Sequence, residues 1–377
     1  MRTVLVCSAG FGEGHHSAAR SLCVAIDELG AAHGVRSEFV DTLATRHPRL
    51  NRLLTGSYVA VLNRAPWLWA VAYRRAERSR GVGVPPLLFG TLRAALRETL
   101  ERTRPAAVIS TYPAYGYVLE EIARSGGPRG FLRATVVTDS ISVNAVWLRA
   151  PTDFYFVANP QTAAVLQSRG VPEAKIQELG FPVHPRFATE CERVTLPDPA
   201  DPRPGQGRRV FFMMNAHRKD AAELVHRLLT EIDGIALTVT AGRDPQRHAA
   251  IEAAVASVGE RGAGTRVLGW TKEIPELLAA HHLIISKAGG ATVQEAIAAG
   301  CPMLVSQVSP GQEEGNAQLV LDSEAGMLAL TPDAIVAAVR AAFADNAALC
   351  RRWRTNITRL SRPNAARAIA QFVLAKL

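Results

Sequence analysis

Apolar runs of strand length recur along this chain with helix-like segments between most of them, and that alternation restricts the fold more than any other feature. The runs include TVLVCS, AAVIS, ATVVT, DFYFVA, RVFFMM, IALTVTA, HLIIS and PMLVS. Segments of helical spacing separate them, among them Ser17–Leu29, Gln161–Arg169, Lys219–Glu231 and Pro275–Ala280. Strand and helix in strict succession predict parallel sheets covered by helices on both faces.

A chain of 377 residues is long enough for two such units. Residues 190–208, within ECERVTLPDPADPRPGQGRR, are rich in proline and charge and carry no periodicity, so they read as a linker. The expected domains are 1–189 and 209–377, each Rossmann-like, with the last helix crossing back to the first domain. No run approaches the roughly 18–20 uninterrupted apolar residues of a membrane span. The opening MRTVLVCSAG reads as a first strand, not a signal peptide. Five scattered cysteines without zinc-ligand spacing suit reduced thiols in a cytoplasm.

The formal charge of +9 is concentrated. Residues 45–104 hold twelve arginines, no lysine and three acids (Glu77, Glu98, Glu101), which accounts for the whole excess. The segment LNRLLTGSYVAVLNRAPWLWAVAYRRAERSR has helical spacing and an aromatic cluster, and Pro66 would start a second helix. It reads as a helical insertion in the first domain. Trp67, Leu68 and Trp69 among arginines suit an anionic lipid interface. The bland alternative is that the tryptophans pack inward and the arginines form a solvated face. The block carries no nucleic-acid-binding motif, so no nucleic-acid partner is expected.

Two stretches carry ligand chemistry. GFGEGHHSAA follows the first strand and has the outline of an anion-binding loop, but without the Lys-Ser/Thr of a P-loop. Its Gly12 and Gly14 let a ligand approach a helix start, and His15 can take a proton from an alcohol; a capping or phosphate-binding side chain is the competing reading. His16 stands beside His15, and no further ligand sits at metal spacing. The second stretch is LIISKAGGATVQEAIAAGCPMLVSQVSPGQEEGNAQLV, Leu283–Val320. Gly289 and Gly290 bring backbone close to a ligand at a helix N-terminus, where free N–H groups favour a diphosphate. Glu295 could accept from ribose hydroxyls. Gln312, Glu313 and Asn316 suit sugar hydroxyls. Thr292 and Glu295 also match a capping box, which would make the helix start merely structural. His281 and His282 precede a strand and read as structural.

These motifs, with SYVAVLNRAPWLWAVAY, VVTDSISVNAVW, ELGFPV and VLGWTKEIPELLAAHH, resemble the diacylglycerol glucosyl- and galactosyltransferases, the family of monogalactosyldiacylglycerol synthase. More distantly they resemble the lipid I N-acetylglucosaminyltransferase of peptidoglycan synthesis. The resemblance spans nearly the whole chain. It implies an α/β GT-B fold, two Rossmann-like domains facing across a cleft, with a UDP-sugar donor in the C-terminal domain and a lipid acceptor in the N-terminal one. It implies inversion at the anomeric carbon, with the UDP-sugar as substrate and no cofactor. The expected placement is peripheral, on the inner face of the cell membrane. Carried over by position, Gly289, Gly290 and Thr292 face the diphosphate, Glu295 the ribose, and Gln312 and Glu313 the sugar. The backbone at Gly269 and Trp270 flanks the uracil. His15 is the family's histidine, and Asp139 either orients it or is itself the base. No Asp-x-Asp pair occurs, so no donor-bound metal is indicated; helix dipole and basic groups, with Arg243 a candidate, would meet the phosphate charge.

Two departures stand out. In FFMMNAHRKD, Met214 and Asn215 stand where the resemblance implies small glycines, so Asn215, His217 or Arg218 would contact the diphosphate by side chains. Asn144-Ala145 replaces the family's His-Pro or His-Lys, which alters the acceptor pocket. A UDP-N-acetylglucosamine 2-epimerase shares the architecture but needs no lipid surface, and a polyprenyl-linked or soluble hydroxylated acceptor is a further alternative. The sequence does not choose the hexose.

Overall fold

The computed structural model describes every residue except 66, 69, 70, 72–74, 76, 78–85, 202–207, 214–217, 311 and 312. Pro66, Trp69, Met214, Asn215, His217 and Gln312 therefore lie outside the described residues. The described chain forms two compact units: 1–185 with 309–316 and 362–377, and 186–308 with 317–361.

The first unit holds a six-stranded parallel sheet in the order β2-β1-β3-β4-β5-β6. Its strands are β1 (Arg2–Cys7), β2 (Val35–Val40), β3 (Ala107–Ser110), β4 (Leu132–Val136), β5 (Phe154–Val157) and β6 (Ile176–Glu178). Alternating side chains of β1 enter two cores. Val4 and Val6 pack with Leu22 and Ile26 of helix Glu13–Gly30 and with Ile369 and Val373 of helix Ala365–Leu374. Leu5 and Cys7 pack with Leu96 and Leu100 of helix Pro86–Thr103 and with Val118 and Ile122 of helix Ala114–Arg124. Burial on both faces is why the strand reads as an unbroken apolar run.

The second unit repeats the plan in the order β12-β11-β10-β7-β8-β9, again all parallel. Here β7 is Arg208–Met213, β8 Ile235–Thr240, β9 Arg266–Leu268, β10 Leu283–Lys287, β11 Met303–Gln307 and β12 Gly326–Leu328. Its helix Arg186–Arg193 takes up the first four residues of the stretch read as a linker. Helix Gly290–Ala299 ends on Gly300, whose φ of +62° suits the glycine found there.

In each sheet the strand order reverses once beside the first strand, between β1 and β3 and between β7 and β10. Ligands of open parallel sheets bind beyond the strand C-termini at such a reversal. The two glycine loops singled out in the sequence follow β1 and β10. Among the described residues no helix is long and apolar enough to cross a membrane.

Candidate active site

The first cluster sits at the C-terminal ends of β1, β3 and β4. Gly12 is the N-cap residue of helix Glu13–Gly30 with φ +106°, a conformation that glycine adopts readily and other residues rarely do. The turn brings His15 inward. Its Nδ1 lies 2.8 Å from the Thr111 carbonyl oxygen and 2.8 Å from the Thr138 hydroxyl. A carbonyl only accepts, so Nδ1 carries the proton and Nε2 keeps the lone pair. The Thr111 hydroxyl donates in return to the His15 carbonyl at 3.0 Å. Tyr112 stands edge-on to the imidazole and Trp147 lies tilted beside it. Burial lowers the pKa of His15 to about 4, so the ring is neutral near pH 7.

Asp139 follows β4 and is half-buried. Its Oδ2 accepts from the indole Nε1 of Trp147 at 2.7 Å, and it also accepts the Asn144 backbone N–H. Burial raises its pKa to about 6, and these two bonds moderate the rise. The expectation that Asp139 orients His15 is corrected: Thr111 and Thr138 hold that ring, and Asp139 is bound to Trp147 instead. Asn144 is buried and its Oδ1 accepts from the Val146 N–H at 3.1 Å, capping the short turn Ala145–Trp147. Its side chain thus shapes the loop that presents Trp147. In the same loop Ile141 has φ +59°, a strained setting for a β-branched residue and one met mainly at functional sites.

Glu313 is buried, and its Oε2 accepts from the Ser309 N–H at 2.9 Å. Asn316 is buried nearby in sequence, in the helix that starts at Glu314. Gly315 has no room for a side chain: a Cβ would meet the Ser140 carbonyl oxygen and the Ser142 side chain. His16 sits apart, its Nε2 3.0 Å from Oδ2 of Asp41, which also caps the next helix.

The second cluster sits in the other unit. Helix Gly290–Ala299 starts directly after β10, with Gly289 as N-cap and no side-chain cap. Thr292 is the third helical residue, so it does not cap, and the capping-box reading of Thr292 and Glu295 is not what forms. Glu295 is half-buried in the second turn. A Cβ on Gly289 would lie 3.7 Å from the Lys287 ammonium nitrogen and 3.7 Å from the Thr292 hydroxyl. Lys287 therefore supplies a cation beside that helix N-terminus, a residue that motif reading missed although it stands in SKAGG. Arg243 stacks on Trp270 with its guanidinium carbon 4.2 Å from the ring centroid. The flat guanidinium prefers the indole face. Trp270 is 52% exposed, which excludes its reading as a core aromatic. Gly269 passes close to the Gly242 carbonyl. His281 bonds Thr238 and the Leu277 carbonyl, and His282 bonds the Pro197 carbonyl and the Arg209 N–H, so both are structural.

The arginine-rich insertion begins with helix Pro48–Arg64. Trp67 is 65% exposed, and Leu50, Leu53, Leu68 and Val71 are exposed with it. Its described aromatic anchor therefore does not pack into the core.

Residues 15–183 match the model of the monogalactosyldiacylglycerol (MGDG) synthase family, and residues 219–362 match the glycosyltransferase family 28 C-terminal domain. The chain is 24% identical over 375 residues to the processive diacylglycerol beta-glucosyltransferase of Bacillus subtilis, covering 99% of this chain and 95% of that one. It is 23% identical to the enzyme of the same description from Staphylococcus haemolyticus, over 88% of this chain and 82% of that one. Among solved structures, MurG of Acinetobacter baumannii superposes with a TM-score of 0.63 at 14% identity, covering all of both chains. The UDP-GlcNAc 2-epimerase of Neisseria meningitidis bound to UDP-GlcNAc superposes at 0.59 with 12% identity, again over both whole chains. The chain is a glycosyltransferase of GT-B fold, with one region that matches the monogalactosyldiacylglycerol synthase model and a second that matches the family 28 C-terminal domain.

Proposed function

We propose that this enzyme transfers a hexose from a UDP-sugar to the hydroxyl of diacylglycerol, inverting the anomeric carbon, while docked on the inner face of an anionic membrane. The observation that carries this reading is the first unit's combination of a half-buried carboxylate, Asp139, with an insertion that exposes Trp67 and four aliphatic side chains among arginines. A proton acceptor serves the transfer, and the apolar, cationic insertion suits a lipid surface.

The acceptor oxygen attacks the anomeric carbon as the bond from that carbon to the diphosphate oxygen breaks. UDP departs with the electron pair, and the acceptor's proton passes to Asp139. Asp139 is the better base of the two candidates, because a pKa of about 6 lies nearer the working pH than the value of about 4 at His15. His15 stays neutral, and its Nε2 accepts a hydrogen bond that aims the hydroxyl. The charge that grows on the departing diphosphate is met by the helix N-terminus at Gly289 and by Lys287. Trp270 with Arg243 offers a flat, exposed surface for a base. Glu295 takes the ribose hydroxyls, and Glu313 with Asn316 the hexose.

The relatives named as diacylglycerol glucosyltransferases support the acceptor, and the neighbour bound to UDP-GlcNAc supports the donor. An epimerase would have no use for the exposed insertion. The test is incubation with labelled UDP-hexoses and diacylglycerol in phosphatidylglycerol vesicles. Label in the organic phase supports the proposal; label left in water on an isomerised UDP-sugar overturns it.

A further inference from the structure

Glu77 belongs to the arginine-rich insertion, yet among the described residues its contacts lie outside it. The other two acids of that segment pair within it, Glu98 with Arg46 and Glu101 with Arg97. Glu77 Oε2 instead accepts from the Ala145 backbone N–H at 2.7 Å. Its Oε1 lies 3.0 Å from the Arg169 guanidinium, and its carbonyl oxygen accepts from Arg149. Ala145 opens the turn Ala145–Trp147 that Asn144 caps. Asn144 and Trp147 are the two residues whose N–H groups hold Asp139. One carboxylate thus grips the short turn that positions another.

We infer that Glu77 is a positioning residue that ties the insertion to the Asp139 loop, so that seating the insertion on an anionic lipid surface steadies the carboxylate that takes the acceptor's proton. The inference rests on the proposed docking of the insertion on lipid. A lone surface ion pair would contribute little, but a carboxylate that caps a backbone N–H and pairs with arginine fixes both partners' geometry.

Hydrogen exchange of the amides in residues 145–149, with and without phosphatidylglycerol vesicles, tests it on the full chain. In the wild type, vesicles are expected to slow this exchange several-fold. Glu77→Ala should still co-sediment with vesicles, since Trp67, Leu68 and the arginines remain, but the slowing should be lost. Glu77→Gln keeps an acceptor oxygen and should retain it. Ala145→Pro removes only the donor N–H. Asn144 has φ −69° and ψ 140°, which suits the residue before a proline, and proline fits the first position of a helical turn. This variant should also bind vesicles and lose the slowing among residues 146–149, and it decides the matter if Glu77→Ala melts early. Unchanged slowing in a folded Glu77→Ala or Ala145→Pro variant overturns the coupling. A wild type that ignores the vesicles in co-sedimentation overturns it together with the docking proposal. If the slowing depends on Glu77 while Asp139→Asn keeps full transferase activity, the tie stands but the assignment of the base fails.

Discussion

The indole N–H of Trp147 donates to Oδ2 of Asp139 at 2.7 Å. The bond favours the ionised carboxylate, so it holds the Asp139 pKa below where burial alone would put it. Trp147→Phe keeps an aromatic ring and removes the donor. The pKa of Asp139 should then rise, and the acidic limb of the kcat profile should move to higher pH. A limb that stays in place in a folded variant would contradict the role given to this bond.

Asp139→Asn should lower kcat by about 10²–10⁴-fold with UDP affinity nearly intact, the range for loss of a general base. In the wild type the acidic limb should fall near pH 6, where Asp139 ionises, rather than near pH 4, where His15 would lose its proton. His15→Gln should cost less in kcat than Asp139→Asn. A limb near pH 4, with His15→Gln the more damaging change, would transfer the base role to His15.

Stability should fall on acidification. His15, His281 and His282 are each held at about 4, against an ordinary 6.5 in the unfolded chain. Between about pH 6.5 and 4 the unfolded chain binds protons that the native state refuses, so stability is lost as pH falls through that window. Asp139 works the other way, since its native pKa of about 6 exceeds the unfolded 3.8. Three groups outweigh one. Thermal melts should give a lower Tm at pH 5 than at pH 7, and His281→Gln should flatten the difference. A Tm that does not change across this range would contradict the burial of these rings.

The strands that the sequence revealed and those it hid follow the topology. The eight apolar runs are β1, β3, β4, β5, β7, β8, β10 and β11, all interior to their sheets. The four missed strands, β2, β6, β9 and β12, are the four sheet edges. Edge strands are short or less enclosed, and VRSEFV and IQE carry polar residues where an interior strand would not. The two glycine turns that lead from a strand into a helix were legible because glycine at a strand end has a backbone meaning. The partners of His15 were not: Thr111 and Thr138 lie 96 and 123 residues away, and only the sheet order brings them to it. Lys287 and Glu77 escaped because a lone charged residue has no pattern until its neighbours in space are known.

On the donor side, Glu295→Ala should weaken UDP binding, since charge-assisted hydrogen bonds of about 1.5–3 kcal/mol each would go. Lys287→Ala should weaken UDP binding while leaving uridine affinity almost unchanged, because only the phosphates need the cation. Calorimetric titration checks both. Full UDP affinity in a folded Glu295→Ala variant would contradict the assignment.

At the membrane, Trp67→Ser should reduce co-sedimentation with phosphatidylglycerol vesicles without altering the melt, because the side chain is already 65% exposed. Each arginine near an anionic surface contributes roughly 1 kcal/mol. Binding should therefore weaken as salt rises. Binding that is indifferent to both salt and Trp67 would favour a soluble acceptor.

The structure of the product tests the proposed transfer most directly. Purified enzyme is given UDP-glucose, UDP-galactose, UDP-glucuronic acid and UDP-N-acetylglucosamine in turn, with diacylglycerol in phosphatidylglycerol vesicles. The lipid extract is analysed by mass spectrometry and by the anomeric proton coupling in NMR. The expected product is a hexosyl-diacylglycerol with a β linkage, inverted from the α-linked donor. An α-linked product would contradict the proposed displacement, and an active enzyme that leaves every diacylglycerol unmodified would contradict the lipid acceptor itself.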